Sequence, residues 1–135
     1  MDKGEKPIRL DMKRILIVED NAYFLQFLKE TLHSRIPSVE IIEAGNGEEA
    51  LQKIKASPPD AILMDLRLPG ENGLELTQKI KAQHPHLIIV ILTNYDLPEY
   101  REAAQQSGAN HFLSKDSFLK MMDSISAYRN TDQDE

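Results

Sequence analysis

Acidic, hydroxyl and ammonium side chains follow short strand-like stretches of this sequence, most of which are apolar. Glu19 and Asp20 follow RILIV, Asp65 follows AILM, Thr93 follows LIIVIL and Lys115 follows NHFLS. Apolar runs this short predict buried strands, so each polar side chain is expected where a buried strand meets solvent. A carboxylate in such a position can be ionised, accessible and rigidly held, as a nucleophile or a metal ligand must be.

If these strand ends meet at one edge of a sheet, their chemistry is specific. Three carboxylates at close range repel one another, which favours a bound divalent cation. Oxygen ligands without cysteine indicate Mg²⁺ or Mn²⁺ rather than zinc. Beside the metal, Asp65 can attack a phosphoryl group as a nucleophile and become an aspartyl phosphate. The metal and the Lys115 ammonium would stabilise charge on the phosphoryl oxygens, and the Thr93 hydroxyl would donate a hydrogen bond to one of them.

The elements that must position these groups alternate along the chain. Strands are predicted at residues 14–18, 39–44, 61–65, 87–92 and 110–114, and a helical pattern follows each of them. Five strands alternating with five helices predict a doubly wound α/β domain, with a mainly parallel sheet covered by helices on both faces. Ligands of such sheets bind outside the carboxyl ends of the strands. The strand-end side chains are therefore expected to converge.

Two helices carry particular expectations. Asn21 is predicted to cap the first helix, which then places four apolar residues at helical spacing on one face: Phe24, Phe27, Leu28 and Leu32. Asp116 or Ser117 is predicted to cap the last helix, whose apolar residues are Phe118, Met121, Met122, Ile125 and Tyr128.

Composition limits the class of protein. The chain has 135 residues, a formal net charge of -6 and no cysteine. The length fits one domain with its own core, and the missing cysteines exclude a disulfide scaffold and thiol catalysis. The acidic balance argues against direct nucleic-acid binding by this chain, since phosphate contacts need a concentrated basic face. No apolar run is long enough for a membrane span, so a cytoplasmic, membrane-free protein is expected.

The limits of the domain are also predicted. Residues 1–13 show no periodicity and are expected to form a flexible lead-in, residues 14–129 the globular domain, and residues 130–135 a polar tail.

These motifs resemble the receiver domain of two-component response regulators over residues 14–128. The resemblance is carried by ILIVEDN, LMDLRLPGENG, ILT and HFLSK. All four motifs occur in the order and at the intervals that are typical of the family. The Lys115–Asp116 pair is seen most in receivers linked to a helix-turn-helix DNA-binding output. The resemblance implies a flavodoxin-like five-stranded sheet with strand order 2-1-3-4-5.

The resemblance also implies roles for named residues. Asp65 would accept a phosphoryl group from a sensor histidine kinase or a histidine phosphotransfer protein. Asp20 would ligate Mg²⁺ directly and Glu19 through water, with Asp65 and the backbone carbonyl of Arg67 as further ligands. Lys115 would bridge to the phosphate.

A conformational readout is implied as well. Thr93 and Phe112 match the family's switch pair, in which the hydroxyl moves toward the phosphoryl group and the ring turns inward behind it. The expected result is a shift in the surface made by the fourth helix, fifth strand and fifth helix, where a homodimer or an output partner would bind. Asn94 and Tyr95, with Arg67, are expected to flank the acceptor and alter the lifetime of the phosphoryl group.

Other functions remain as alternatives. The chain could be an interaction module with a receiver fold that is not phosphorylated in practice. An aspartate-nucleophile phosphatase would need an acid two residues after Asp65, and Arg67 stands there, so at most weak self-phosphorylation from small phosphodonors and self-dephosphorylation is expected. A nucleotide-binding flavodoxin-like protein would need a glycine-rich loop after the first strand, where this chain has acids.

Overall fold

The computed structural model describes residues 7–123, and within them a five-stranded sheet forms the centre of the molecule. Its strands are β1 Arg14–Val18, β2 Glu40–Ala44, β3 Ala61–Asp65, β4 Ile88–Thr93 and β5 His111–Ser114. Each strand lies within a residue of its predicted limits.

Helices follow all five strands. Their bounds are α1 Ala22–Arg35, α2 Gly47–Ala56, α3 Gly73–Gln83 and α4 Pro98–Ser107, and α5 is helical over residues 115–123. The backbone N–H of Ser117 donates to the Ser114 hydroxyl over 3.0 Å. The last helix is therefore capped by Ser114, and the prediction of Asp116 or Ser117 as its cap is wrong.

The sheet is parallel throughout, with strand order β2-β1-β3-β4-β5, which confirms the predicted order. The chain adds β2 on one side of β1 and β3 on the other, so the direction of strand addition reverses between β1 and β3. Ligands of doubly wound sheets bind at this point of reversal. Glu19 follows β1, and Asp65 is the last residue of β3.

The core has two layers, because successive side chains of a strand point to opposite faces of the sheet. Ile15 and Ile17 of β1 belong to the layer that contains Leu32 of α1 and Phe118 of α5. The opposite layer contains the alternate residues of the strands, among them Leu16, Val18, Ile62 and Met64. These pack against residues of α2, α3 and α4, namely Ala50, Ile54, Leu76, Ile80 and Ala104. Apolar burial on both faces fixes the register of the strands, and with it the positions of their carboxyl ends.

The loop after β3 forms a short antiparallel hairpin with two residues in each strand. Arg67 pairs with Asn72 and Leu68 with Glu71, and Gly70 in the turn has a φ of 69°. The hairpin is followed directly by Gly73, the first residue of α3, whose N–H donates to the Leu66 carbonyl over 2.8 Å. The loop is thereby held against the end of β3.

Part of the predicted lead-in packs into this fold. Ile8 and Met12 precede β1 and are buried in the core, contacts that the sequence does not predict. Residues 1–6 of the predicted lead-in, together with Ile125, Tyr128 and the tail 130–135, lie outside the described residues, so the predicted domain limits stay a prediction. Across residues 7–123, no helix is long and apolar enough to cross a membrane.

Gly73 offers a test of how the acceptor loop is held. A Cβ at this position would lie 2.5 Å from the backbone oxygen of Asp65 and 3.0 Å from that of Leu66. Gly73→Ala is therefore expected to lower the free energy of unfolding by about 1–3 kcal/mol in urea denaturation. Gly45→Ala is the matched control, because its nearest contact would be an ordinary 3.6 Å from the Glu49 carboxylate. Equal stability of the two variants would contradict the close approach.

Candidate functional site

The predicted acidic residues meet at the carboxyl ends of β1 and β3. The N–H of Glu19 donates to the Ala44 carbonyl of β2 over 2.9 Å, which continues the sheet one residue beyond β1. The side chain of Asn21 then accepts a hydrogen bond from the N–H of Phe24, as predicted for a helix cap, over 3.0 Å. Strand and helix are therefore joined by a turn of three residues, two of which are the acids.

Glu19 is a buried carboxylate, with the residue 4% exposed. One oxygen accepts from the N–H of Asn21 over 3.0 Å, and the other lies 3.3 Å from the Lys115 ammonium. Both oxygens thus have a donor, which a buried carboxylate requires.

Asp65 shares the same ammonium. Its Oδ2 lies 3.8 Å from Lys115 Nζ, and its Oδ1 accepts from the N–H of Arg67 over 3.3 Å. The Asp65 side chain is 14% exposed. A reactant can therefore reach an oxygen whose neighbours are held in place.

Burial raises the pKa of the Glu19 carboxyl above its usual value, although the bond from Asn21 opposes the rise. The pKa of Asp65 is raised for the same reason, against the lowering effect of the Lys115 charge. Each carboxyl also lies close to another acid: the Asp65 charge raises the pKa of Glu19, and the Asp20 charge raises that of Asp65. One ammonium does not offset this burial and repulsion, so a further cation would stabilise the ionised site.

A divalent metal fits these residues. Glu19, Asp20 and Asp65 can each offer an oxygen such that the three oxygens lie within 4.8 Å of one another. An all-oxygen donor set suits Mg²⁺ or Mn²⁺. The carbonyl of Arg67, the fourth predicted ligand, belongs to the hairpin two residues beyond Asp65.

Thr93 ends β4 beside this cluster. Its neighbour Leu92 is the register partner of Asp65, and Thr93 itself is 1% exposed. Its hydroxyl accepts from the N–H of Tyr95 over 2.9 Å, and a hydroxyl that accepts one bond still has its hydrogen to donate. Asn94, the first of the two predicted flanking residues, is exposed.

The second flanking residue, Tyr95, forms a small cluster with Arg67. The Arg67 guanidinium lies 4.6 Å from the centre of the half-exposed Tyr95 ring and donates to the Tyr100 hydroxyl over 3.3 Å. This cluster connects the loop after β3 to α4.

Phe112, the second member of the predicted switch pair, is buried in the layer that contains α4. The Arg101 guanidinium of α4 lies 5.2 Å from its ring centre and donates to its carbonyl over 3.4 Å. Arg101 also pairs with Asp96 at 2.5 Å.

Three contacts at the site are not predicted from the sequence. The Lys115 ammonium lies over the Phe24 ring, 4.2 Å from its centre. On α4, the Tyr100 hydroxyl accepts a hydrogen bond from Arg67, and the Arg101 guanidinium lies over the Phe112 ring. The contact of Phe24 could have been predicted from its position in the sequence, four residues after Asp20. The first turn of a helix that follows a strand end points residues back toward that end.

The comparisons with known proteins agree with this geometry. A family model described as the response regulator receiver domain matches residues 15–125. Transcriptional regulatory protein YvfU of Bacillus subtilis is 34% identical over 105 residues, which cover 78% of this chain and 52% of that protein. Transcriptional regulatory protein NarL of Mycobacterium tuberculosis is 32% identical over 77% of this chain and 48% of its own length. The chain thus spans about half the length of these curated relatives.

Solved structures share the fold. The signal receiver domain of NarL from Mycobacterium tuberculosis superposes with a TM-score of 0.74 at 28% identity, covering 91% of this chain and 98% of that one. The Mn²⁺-bound form of response regulator Rcp1 gives a TM-score of 0.74 at 26% identity, covering 86% of this chain and 93% of that one.

The acidic cluster generates a prediction about metal binding. Mg²⁺ is expected to raise the thermal unfolding midpoint of the protein by binding the folded state. Loss of a carboxylate that contacts the metal is expected to weaken binding by about tenfold or more, since outer-shell losses alone cost roughly that much. Asp20→Asn should therefore need correspondingly more Mg²⁺ for the same shift in midpoint.

Glu48→Gln is the matched control for this titration. It removes the same charge from the exposed first turn of α2, outside the acidic cluster. Identical Mg²⁺ titrations for Asp20→Asn and Glu48→Gln would contradict a metal site at the ends of β1 and β3.

Proposed function

Because the chain belongs to the family of response regulator receiver domains, we propose that it is the phosphoacceptor switch of a two-component phosphorelay. Asp65 receives the phosphoryl group from a histidine kinase or a histidine phosphotransfer protein. The switch then changes the face formed by α4, β5 and α5, where a second copy or an output partner binds. Beyond weak self-phosphorylation from small phosphodonors and self-dephosphorylation, we assign no enzymatic activity to the chain, because Arg67 rather than an acid stands two residues after Asp65.

One observation carries this proposal: the Lys115 ammonium lies 3.3 Å from Glu19 and 3.8 Å from Asp65 at the ends of neighbouring strands. A carboxylate nucleophile needs a rigid position, access for the donor, and cations that offset the charge of the transferring group. Asp65 has all three features, as a partly exposed carboxylate held by the Arg67 amide beside an ammonium.

The proposed cofactor is Mg²⁺ or Mn²⁺. Glu19, Asp20 and Asp65 would hold it together with the carbonyl of Arg67, and the similar Rcp1 structure is that of a Mn²⁺-bound form. When bound, the metal supplies positive charge next to the phosphoryl oxygens and offsets the repulsion among the carboxylates.

The proposed step is a transfer between two nucleophiles. An Asp65 carboxylate oxygen forms a bond to phosphorus as the bond from phosphorus to the donor histidine nitrogen breaks, and the electron pair of that bond returns to the imidazole. With acetyl phosphate as donor, the phosphorus–oxygen bond breaks and acetate leaves. The Lys115 ammonium offsets charge on the phosphoryl oxygens, and the Thr93 hydroxyl donates to one of them.

The proposed switch begins at Thr93. Its hydroxyl, at the end of β4, accepts a hydrogen bond from the N–H of Tyr95 in the following loop. A turn of the Thr93 side chain toward a phosphoryl group would therefore disturb the start of that loop. On the neighbouring strand β5, Phe112 is buried and its ring contacts Arg101 of α4. A shift in either residue would therefore reach α4 through packed contacts, as a population shift between two conformations requires.

The proposed flanking residues regulate access of water to the acceptor. The Arg67 guanidinium, from the loop after β3, is stacked on the Tyr95 ring and donates to the Tyr100 hydroxyl of α4. If these side chains cover the phosphorylated Asp65, its phosphoryl group is expected to be hydrolysed more slowly than on an aspartate open to solvent. Hydrolysis requires a water molecule that attacks the phosphorus from the side opposite the bond to Asp65.

Phosphorylation tests this proposal directly. After incubation with Mg²⁺ and acetyl phosphate, intact mass spectrometry is expected to show wild-type protein heavier by the mass of one phosphoryl group. Asp65→Asn should show no gain, because its amide oxygen is a poor nucleophile. A chelator in excess over Mg²⁺ should abolish the gain in wild type.

Asp123→Asn is the control, since this aspartate lies on α5 and pairs with Arg35 at 3.0 Å. It should be phosphorylated as fully as wild type. Equal phosphorylation of Asp65→Asn would overturn the assignment of the acceptor. A folded wild-type protein that binds Mg²⁺ but gains no mass would instead favour a receiver-fold interaction module.

A further inference from the structure

The Lys115 ammonium has an aromatic contact in addition to its two carboxylates. It lies over the ring of Phe24 on α1, 4.2 Å from the ring centre, while its side chain is 13% exposed. We propose that Phe24 is a positioning residue that holds the Lys115 ammonium at the acceptor through this cation–π contact. The inference rests on the proposed function, because the ammonium serves phosphoryl transfer to Asp65.

The position of the ring is fixed by the same turn that carries the acids. Phe24 lies in the first turn of α1, and its N–H donates to the capping side chain of Asn21 over 3.0 Å. The N–H of Asn21 in turn donates to Glu19 over 3.0 Å. The ring is half-buried and packs against the core layer that contains Leu28 and Phe118. Phe24 is therefore a rigid contact for a flexible side chain.

Lysine needs such a contact more than arginine does. Its ammonium is a compact, strongly hydrated charge on a flexible four-carbon stem. With carboxylates alone, the ammonium could move onto Glu19, the nearer partner at 3.3 Å, and leave Asp65 at 3.8 Å. The face of the ring attracts the cation and excludes water, so it supplies a third point that fixes the ammonium between the two acids.

The charge at Asp65 also changes during function. A phosphoryl group adds negative charge next to Lys115, whereas Glu19 stays in place and competes for the same ammonium. Attraction by the ring is independent of that change. Phe24 is therefore expected to keep the ammonium within reach of Asp65 before transfer and of the phosphoryl oxygens after it.

Three variants separate attraction by the ring from simple filling of space. Phe24→Leu keeps an apolar side chain but removes the aromatic ring face, whereas Phe24→Tyr keeps that face. Phe27→Leu is the matched control, because it replaces a half-exposed phenylalanine of the same helix by leucine. The rate of phosphorylation by acetyl phosphate at saturating Mg²⁺ is expected to fall about two- to fivefold in Phe24→Leu. Phe24→Tyr and Phe27→Leu should keep the wild-type rate.

A second readout does not depend on phosphorylation. In Mg²⁺-free protein, NMR signals of the Lys115 Hε protons are expected to shift upfield, because their carbon is bonded to the Nζ atom that lies 4.2 Å from the centre of the Phe24 ring. The shift should vanish in Phe24→Leu and persist in Phe24→Tyr. Lys120 is the internal reference, an exposed lysine that pairs with Asp116 at 3.4 Å.

The outcomes distinguish this inference from the proposed function. If the Lys115 Hε protons of the wild-type protein have the same chemical shift as those of Lys120, the cation–π contact is overturned, whatever the phosphorylation result. Equal rates in wild type and a folded Phe24→Leu, or equal losses in Phe24→Leu and Phe24→Tyr, would overturn the positioning role. Absence of phosphorylation in wild type would count against the proposed function, while the NMR shift would still decide whether the contact exists.

Discussion

The site depends on the burial of carboxylates next to the Lys115 ammonium. Glu19 follows β1 and Asp65 ends β3, and the four residues before each acid are buried and apolar. Burial raises the pKa values of both carboxyl groups. Lys115 offsets part of this cost at 3.3 Å and 3.8 Å. The remaining cost is what favours a metal ion or a further cationic partner, because an ionised cluster of acids is unstable without one. The demand for positive charge thus links the geometry of the site to its proposed chemistry.

The rest of the fold serves to hold these charges at their distances. Buried strands fix the register of the sheet, and the side-chain cap of Asn21 turns the chain into α1 immediately after the acids. Gly73 lets the loop after β3 approach the backbone of Asp65 and Leu66. On the other side, Arg67 and Arg101 connect the acceptor loop and Phe112 to α4. The same contacts that make the site rigid therefore also join it to the proposed output face.

The sequence predicts the fold and the acidic cluster because both depend on local patterns. Short apolar runs fix the strands, and the residue after each run must lie at the carboxyl edge of the sheet. Contacts between long side chains do not follow from such patterns. Phe24 and Phe27 share the same helical spacing, yet Phe24 contacts Lys115 whereas Phe27 is 49% exposed. The pairing of Arg67 with Tyr100 likewise depends on how α4 packs, since the two residues are 33 positions apart in the sequence.

Reductive mapping of the acceptor tests the central claim most directly. Borohydride reduces an acyl phosphate to an alcohol, so a phosphorylated aspartate becomes homoserine, which peptide mass spectrometry locates by position. Protein treated with Mg²⁺ and acetyl phosphate and then with borohydride is expected to carry homoserine at position 65. Homoserine at Asp20, or a phosphorylated protein with homoserine at no position, would contradict a site in which Asp65 is the nucleophile.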